Sequence, residues 1–160
     1  MKGLRLIVII GGLVVVMIVL YVAAFTWLFP QFHNQTLSRF TSQLTRIPVP
    51  EKTLLIDTLS QVGQQSGNSD HCDYLGALLL KTELSKSDAE RYYRDNYKGA
   101  SQLHFYWTDE SHQPGIGAAN PTNIFTLNDW VNSKAKDTGA NLIVYIFEGS
   151  MTSAFDYRCS

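Results

Sequence analysis

A histidine and an aspartate stand two residues apart in the run Gly67-Asn68-Ser69-Asp70-His71-Cys72-Asp73-Tyr74. In an extended strand alternate side chains share a face, so His71 and Asp73 would meet on one side and Cys72 would point to the other. An imidazole beside a carboxylate can act as a general base with its orienting partner, or can supply two ligands to a metal ion. Asn68 and Asp70 add polar side chains within the same turn of sequence. A metal would need further donors, and these would have to come from Asp109, Glu110 or His112 across space. Asn and Asp at the entry to a strand are also ordinary turn chemistry. No metal or other cofactor is therefore assigned, and His71 and Asp73 stand as the candidates for catalysis.

Cys72 and Cys159 are the only cysteines in the sequence. Two thiols cannot build a structural zinc site, and no C-x-x-C motif is present. A disulfide is the better use for them if the domain lies outside the cytoplasm, and the other reading is two small apolar side chains in a core. Closing a loop of about 87 residues would stabilise the fold by roughly 4 to 5 kcal/mol in the chain-entropy model, and would hold a C-terminus that otherwise frays.

The segment from Asp109 to Thr122 has no helical or strand period and carries two prolines and two glycines. Loops of this length are frequently functional, and Asp109, Glu110, His112 and Asn120 are its candidates for contact with a partner. Gly115 and Gly117 lack the third glycine and the strand-to-helix setting of a phosphate cradle. No serine elbow, Walker motif or His-rich zinc signature appears. The Asn34-Gln35-Thr36 sequon lies so near an apolar segment that chance explains it best.

The elements that must position these residues begin with an anchor. From Leu6 to Phe29 there is no charged residue. As a helix this run would measure roughly 36 Å at 1.5 Å per residue, enough to cross a hydrocarbon core of about 30 Å. Tyr21 and Trp27 lie toward its C-terminal end, where amphipathic rings favour the headgroup level, and Pro30 marks a place to bend or stop. The rival reading is a cleaved signal with Lys2 and Arg5 as its basic start and Val22-Ala23-Ala24 as its cleavage site. The apolar run is long for that and continues past the proposed cut, so a retained anchor is expected, with residues 6–29 in the bilayer. Lys2 and Arg5 favour a cytoplasmic N-terminus and an extracytoplasmic domain, in a plasma (inner) membrane.

The overall 45% hydrophobic and 17% charged composition averages this apolar block with a polar remainder. Two of the 13 basic residues precede the block and all 14 acidic residues follow it, so the remainder is mildly acidic. Scattered Lys and Arg without a basic stripe exclude nucleic acid as a partner.

Beyond the anchor, Leu37, Phe40, Leu44 and Ile47 recur at helical spacing and predict a membrane-proximal stalk over residues 31–50, closed by Pro48 and Pro50. The domain proper is expected over 51–160. Strands are predicted over Thr53–Val62, His71–Glu83, Ser101–Thr108, Asn141–Glu148 and Ala154–Cys159. Ser87 and Glu90 suggest a capping box opening a helix that ends at Gly99, with Ala89, Tyr92, Tyr93 and Tyr97 facing inward. A second short helix is predicted over Thr126–Asp137. The order implies an α+β fold: an N-terminal transmembrane helix, then a mainly antiparallel sheet with helices packed on one face.

The segment Gly67 to Tyr74, read as G-N-x-x-H-C-D-Y, and the terminal Asp156-Tyr157-Arg158-Cys159, read as D-x-R-C, resemble small membrane-anchored or exported bacterial proteins of unassigned function. The resemblance spans the domain from Glu51 onward. It implies that the two cysteines belong together and carries no activity with it. The expected function is a non-enzymatic, membrane-tethered interaction module of the cell envelope. The alternative is a small envelope enzyme or metal-dependent hydrolase using His71 and Asp73.

Overall fold

The uncharged apolar run folds as a helix and does not stop where its composition changes. In the computed structural model, which describes residues 2–63, 71–109, 130, 131, 133, 134, 137–152 and 159, helix α1 (Lys2–Ala23) passes through a widened turn (Ala24–Leu28) into α2 (Phe29–Thr45). The widened turn has a local cause. Pro30 has no N–H and crowds the carbonyl four residues before it, so the preceding turn opens and the Phe29 N–H reaches back five residues to the Ala24 carbonyl. The proline bends the ladder without ending it. One helix, apolar, exposed and long enough to cross a membrane, therefore continues directly into the folded domain.

The segment expected as a stalk lies on the sheet. Leu37, Phe40, Leu44 and Ile47 are buried, as are Pro30, His33 and Thr41 on the same side of α2. Gln31, Asn34, Gln35, Ser38 and Arg39 on the other side are exposed. Apolar burial of this stripe, at roughly 25 cal/mol per Å² removed from water, ties α2 to the domain.

Four strands follow: β1 (Thr53–Gly63), β2 (His71–Thr82), β3 (Leu103–Trp107) and β4 (Leu142–Thr152), with helix α3 (Lys86–Asn96) between β2 and β3. The sheet order is β1-β2-β4-β3 and every pairing is antiparallel. The fold is α+β. β2 and β4 are central, which explains their near-continuous apolar sequences: Leu78, Leu80, Leu142, Val144 and Ile146 point to one face, and Leu75, Ala77, Leu79, Ile143 and Tyr145 to the other.

The first face is covered by α2 and α3. Ala89 and Tyr93 of α3 and Leu37, Phe40 and Leu44 of α2 share one core with Leu103 and Trp107 of β3. The second face is covered by Trp130 and Val131, so helical cover is not confined to one side. Residues 130, 131, 133, 134 and 137 of the predicted second helix are helical, as is 138 just after it. Asp57 of β1 fixes this segment, accepting a hydrogen bond from Trp130 Nε1 at 3.1 Å and lying 3.7 Å from Lys134 Nζ. These contacts, with the Thr58 amide foremost, hold the Asp57 carboxyl below its ordinary range.

α3 begins two residues earlier than its sequence signal. Ser85 is the cap, accepting from the Asp88 amide at 3.2 Å, and the chain leaves the helix at Tyr97. Ser85 and Asp88 have the same spacing as Ser87 and Glu90, so either pair would satisfy the capping pattern. Glu90 instead pairs with Arg94 at 3.3 Å and accepts from Trp107 Nε1. The predicted strand over Ala154–Cys159 lies outside the described residues except at Cys159, which is in a helical turn.

Candidate functional site

The start of β2 and the first turns of α2 meet at one end of the sheet. Here β2 departs from regular pairing: Cys72 is opposite Met151 and Tyr74 opposite Glu148, so a bulge lies between them. Bulges re-aim side chains. Asp73 becomes fully buried, and its Oδ1 lies 3.2 Å from Nε2 of His71. The predicted His71–Asp73 pair therefore forms. β4 passes close to the carboxylate at Gly149, where a Cβ would sit 3.3 Å from Oδ1.

On the opposite face of the strand, Cys72 is bonded to Cys159, with their Cα atoms 4.8 Å apart and both side chains fully buried. Sequence reasoning missed the residue that packs on this bond. His33 of α2 is 2% exposed, its Nε2 lies 3.9 Å from Cys72 Sγ, and its Nδ1 lies 2.5 Å from the Tyr74 hydroxyl. The two rings stack at 6.0 Å, and Phe40 also packs against Tyr74, its ring centroid 6.0 Å away. A signal for His33 was present: it stands four residues before Leu37 and extends the stripe Leu37, Phe40, Leu44 backwards by one turn.

Of the further metal donors proposed from sequence, Asp109 does not reach His71 and Asp73. Asp109 follows β3, whose Trp107 pairs with Leu142, which in turn pairs with Leu80. Leu80 is at the other end of β2 from His71, about 30 Å away at 3.3 Å per residue. Asp109 instead pairs with Lys86 at 2.9 Å on the exposed surface. Among the described residues no three His, Cys, Asp or Glu side chains converge. Glu110, His112 and Asn120, with most of the predicted contact loop, lie outside the described residues, as do Asn68 and Asp70.

Comparison with protein-family models, with curated proteins and with solved structures finds no match to this chain. Its chemistry is read from its own geometry. A catalytic base must reach a substrate, but Asp73 is sealed within the sheet and His71 is 9% exposed. A groove of about 330 Å³ lies elsewhere, between the C-terminal ends of α2 and α3, lined by Arg46, Asn96 and Lys98 among others.

A different surface stands out at the sheet edge. β1 is a terminal strand of eleven residues that pairs with β2 alone among the described residues. Leu54 and Leu55 near its start are 60% and 40% exposed, and Val49 just before it is also exposed. An edge strand offers a row of backbone donors and acceptors, and exposed leucines beside it add apolar contact.

Proposed function

We propose that the protein is a bilayer-anchored, extracytoplasmic interaction module without enzymatic activity, which presents a protein partner in the cell envelope with the β1 edge and its flanking leucines. The observation that carries this reading is the exposure of Leu54 and Leu55 on a long edge strand in a domain joined to its span by continuous helix. Two independent facts favour the outward orientation. Lys2 and Arg5 stand before the span and no further basic residue occurs until Arg39, and the Cys72–Cys159 bond belongs to an oxidising compartment. The membrane concerned is a plasma (inner) membrane, crossed once.

A photo-crosslinking residue at Leu54 or Leu55, irradiated in intact cells, is expected to capture one and the same envelope protein. Arg91 on the exposed side of α3 is the control position, expected to give none of it. Equal capture from Arg91, or capture from residues 109–122 with none from β1, overturns the assignment of this edge.

The His71–Asp73 contact favours a second reading, a small hydrolase using His71 as base and Asp73 as its orienting partner. His71→Ala with unchanged metal content and no loss of any hydrolytic activity of the purified full chain would remove it.

A further inference from the structure

We infer that the base of the domain is seated in the lipid headgroup layer, with Phe32 of α2 as its contact. This rests on the anchored reading above and goes beyond it, because an anchor alone would allow the domain to stand clear of the surface.

The apolar outer surface of the span does not end with the span. Trp27 and Leu28 are exposed, and Phe32, one helical turn beyond Leu28 on the same side, is 62% exposed. A lone exposed aromatic on a soluble surface would need no explanation. This one continues an unbroken lipid-facing stripe, while the opposite side of the same turn already packs on protein through Pro30 and His33. The helix is thus clothed by the domain on one side and bare on the other.

Charge and length place this turn. No Asp, Glu, Lys or Arg occurs between Arg5 and Arg39. With the apolar run Leu6 to Phe29 centred in a hydrocarbon core of about 30 Å, that core ends near Leu28, and Phe32 lies about 6 Å beyond it. The headgroup layer on each side is roughly 5 to 7 Å thick. Helical side chains lean toward the N-terminus, which here directs the Phe32 ring back toward the membrane. Arg39, about 17 Å beyond the core at 1.5 Å per residue, is in water. Continuity with lipid-facing Leu28 selects lipid as the occupant. His33 and Tyr74, at the same level of the helix, bring the start of β2 close to the bilayer surface.

The test uses the full chain, with its disulfide intact, in phosphatidylcholine nanodiscs. Nitroxide labels are placed singly through Leu13→Cys, Phe32→Cys and Arg91→Cys, all at exposed side chains that the fold tolerates. Collision with dissolved oxygen and with a water-soluble nickel chelate reads the depth. The expected order is Leu13 inaccessible to nickel, Phe32 several-fold less accessible than Arg91, and Arg91 fully accessible. If Leu13 is shielded while Phe32 is as accessible as Arg91, the seating is wrong and the anchor stands. If Leu13 is as accessible as Arg91, the anchored reading fails and the seating fails with it.

Discussion

The hydroxyl of Tyr74 lies 2.5 Å from Nδ1 of His33, joining the start of α2 to the central strand that carries the disulfide. Both residues are 2% exposed, so neither group can turn to bulk water if the other is removed. Leaving a buried polar group unsatisfied costs about 1 to 3 kcal/mol. Tyr74→Phe, which keeps the ring and its stacking, is expected to lower stability by about that amount in denaturant titration of the full chain in detergent. His33→Phe combined with Tyr74→Phe removes both polar partners and is expected to recover part of the loss.

The approach of α2 to the sheet is set at a second point. A Cβ on Gly76 would lie 2.5 Å from Cγ2 of Thr41, a distance that no packed side chain tolerates. Gly76→Ala is expected to destabilise by about 1 to 3 kcal/mol through overpacking. Thr41→Ser deletes the offending methyl and keeps the hydroxyl, which bonds the Leu37 carbonyl and the Ser60 hydroxyl. In the Gly76→Ala background it should restore most of the loss, and a double-mutant cycle should give a clear positive coupling. Additive effects would show that the contact does not set the helix-to-sheet distance.

Cys72 and Cys159 close a loop of 87 residues. Reduction, or Cys72→Ser with Cys159→Ser, is expected to lower stability by roughly 4 to 5 kcal/mol in the chain-entropy model. Maleimide tagging of denatured wild type should require prior reduction, and each single cysteine variant should tag without it. Tagging of unreduced wild type would mean that the bond does not form in cells and that the domain faces a reducing compartment.

Much of this architecture is written locally. The apolar helix, the strands β2 and β4 and the stripe on α2 follow from composition and period, because burial on two faces or one imposes those patterns on the chain. What the stripe packs against is not local. Leu37, Phe40 and Leu44 would read identically on a stalk in a coiled coil and on a helix lying on a sheet. The bond from Trp130 to Asp57 joins residues 73 apart, and no local period announces it. His71 and Asp73 were legible as a pair because strand geometry alone brings alternate residues together. His33 was hidden because a histidine breaks the appearance of an apolar stripe even where it continues its spacing. The exposed edge of β1 was equally hidden, since edge position depends on strand order, which the sequence of turns leaves open.

His104 is expected to make stability depend on pH. Its ring stacks on Tyr145 of the neighbouring strand, with centroids 5.0 Å apart. Burial, with a smaller contribution from the Arg94 charge, lowers the His104 pKa below its ordinary value. The folded state therefore holds it neutral at pH values where the unfolded chain, near the ordinary histidine value of about 6.5, takes up a proton. Its contribution to stability is complete above about pH 6.5 and is lost as pH falls through the folded pKa. His104→Phe retains an aromatic ring on Tyr145 and has no proton to bind. Denaturation midpoints at pH 7.5, 6.0 and 5.0 should fall less in His104→Phe than in wild type, with the other histidines common to both. Parallel declines in the two proteins would assign the acid sensitivity to another group.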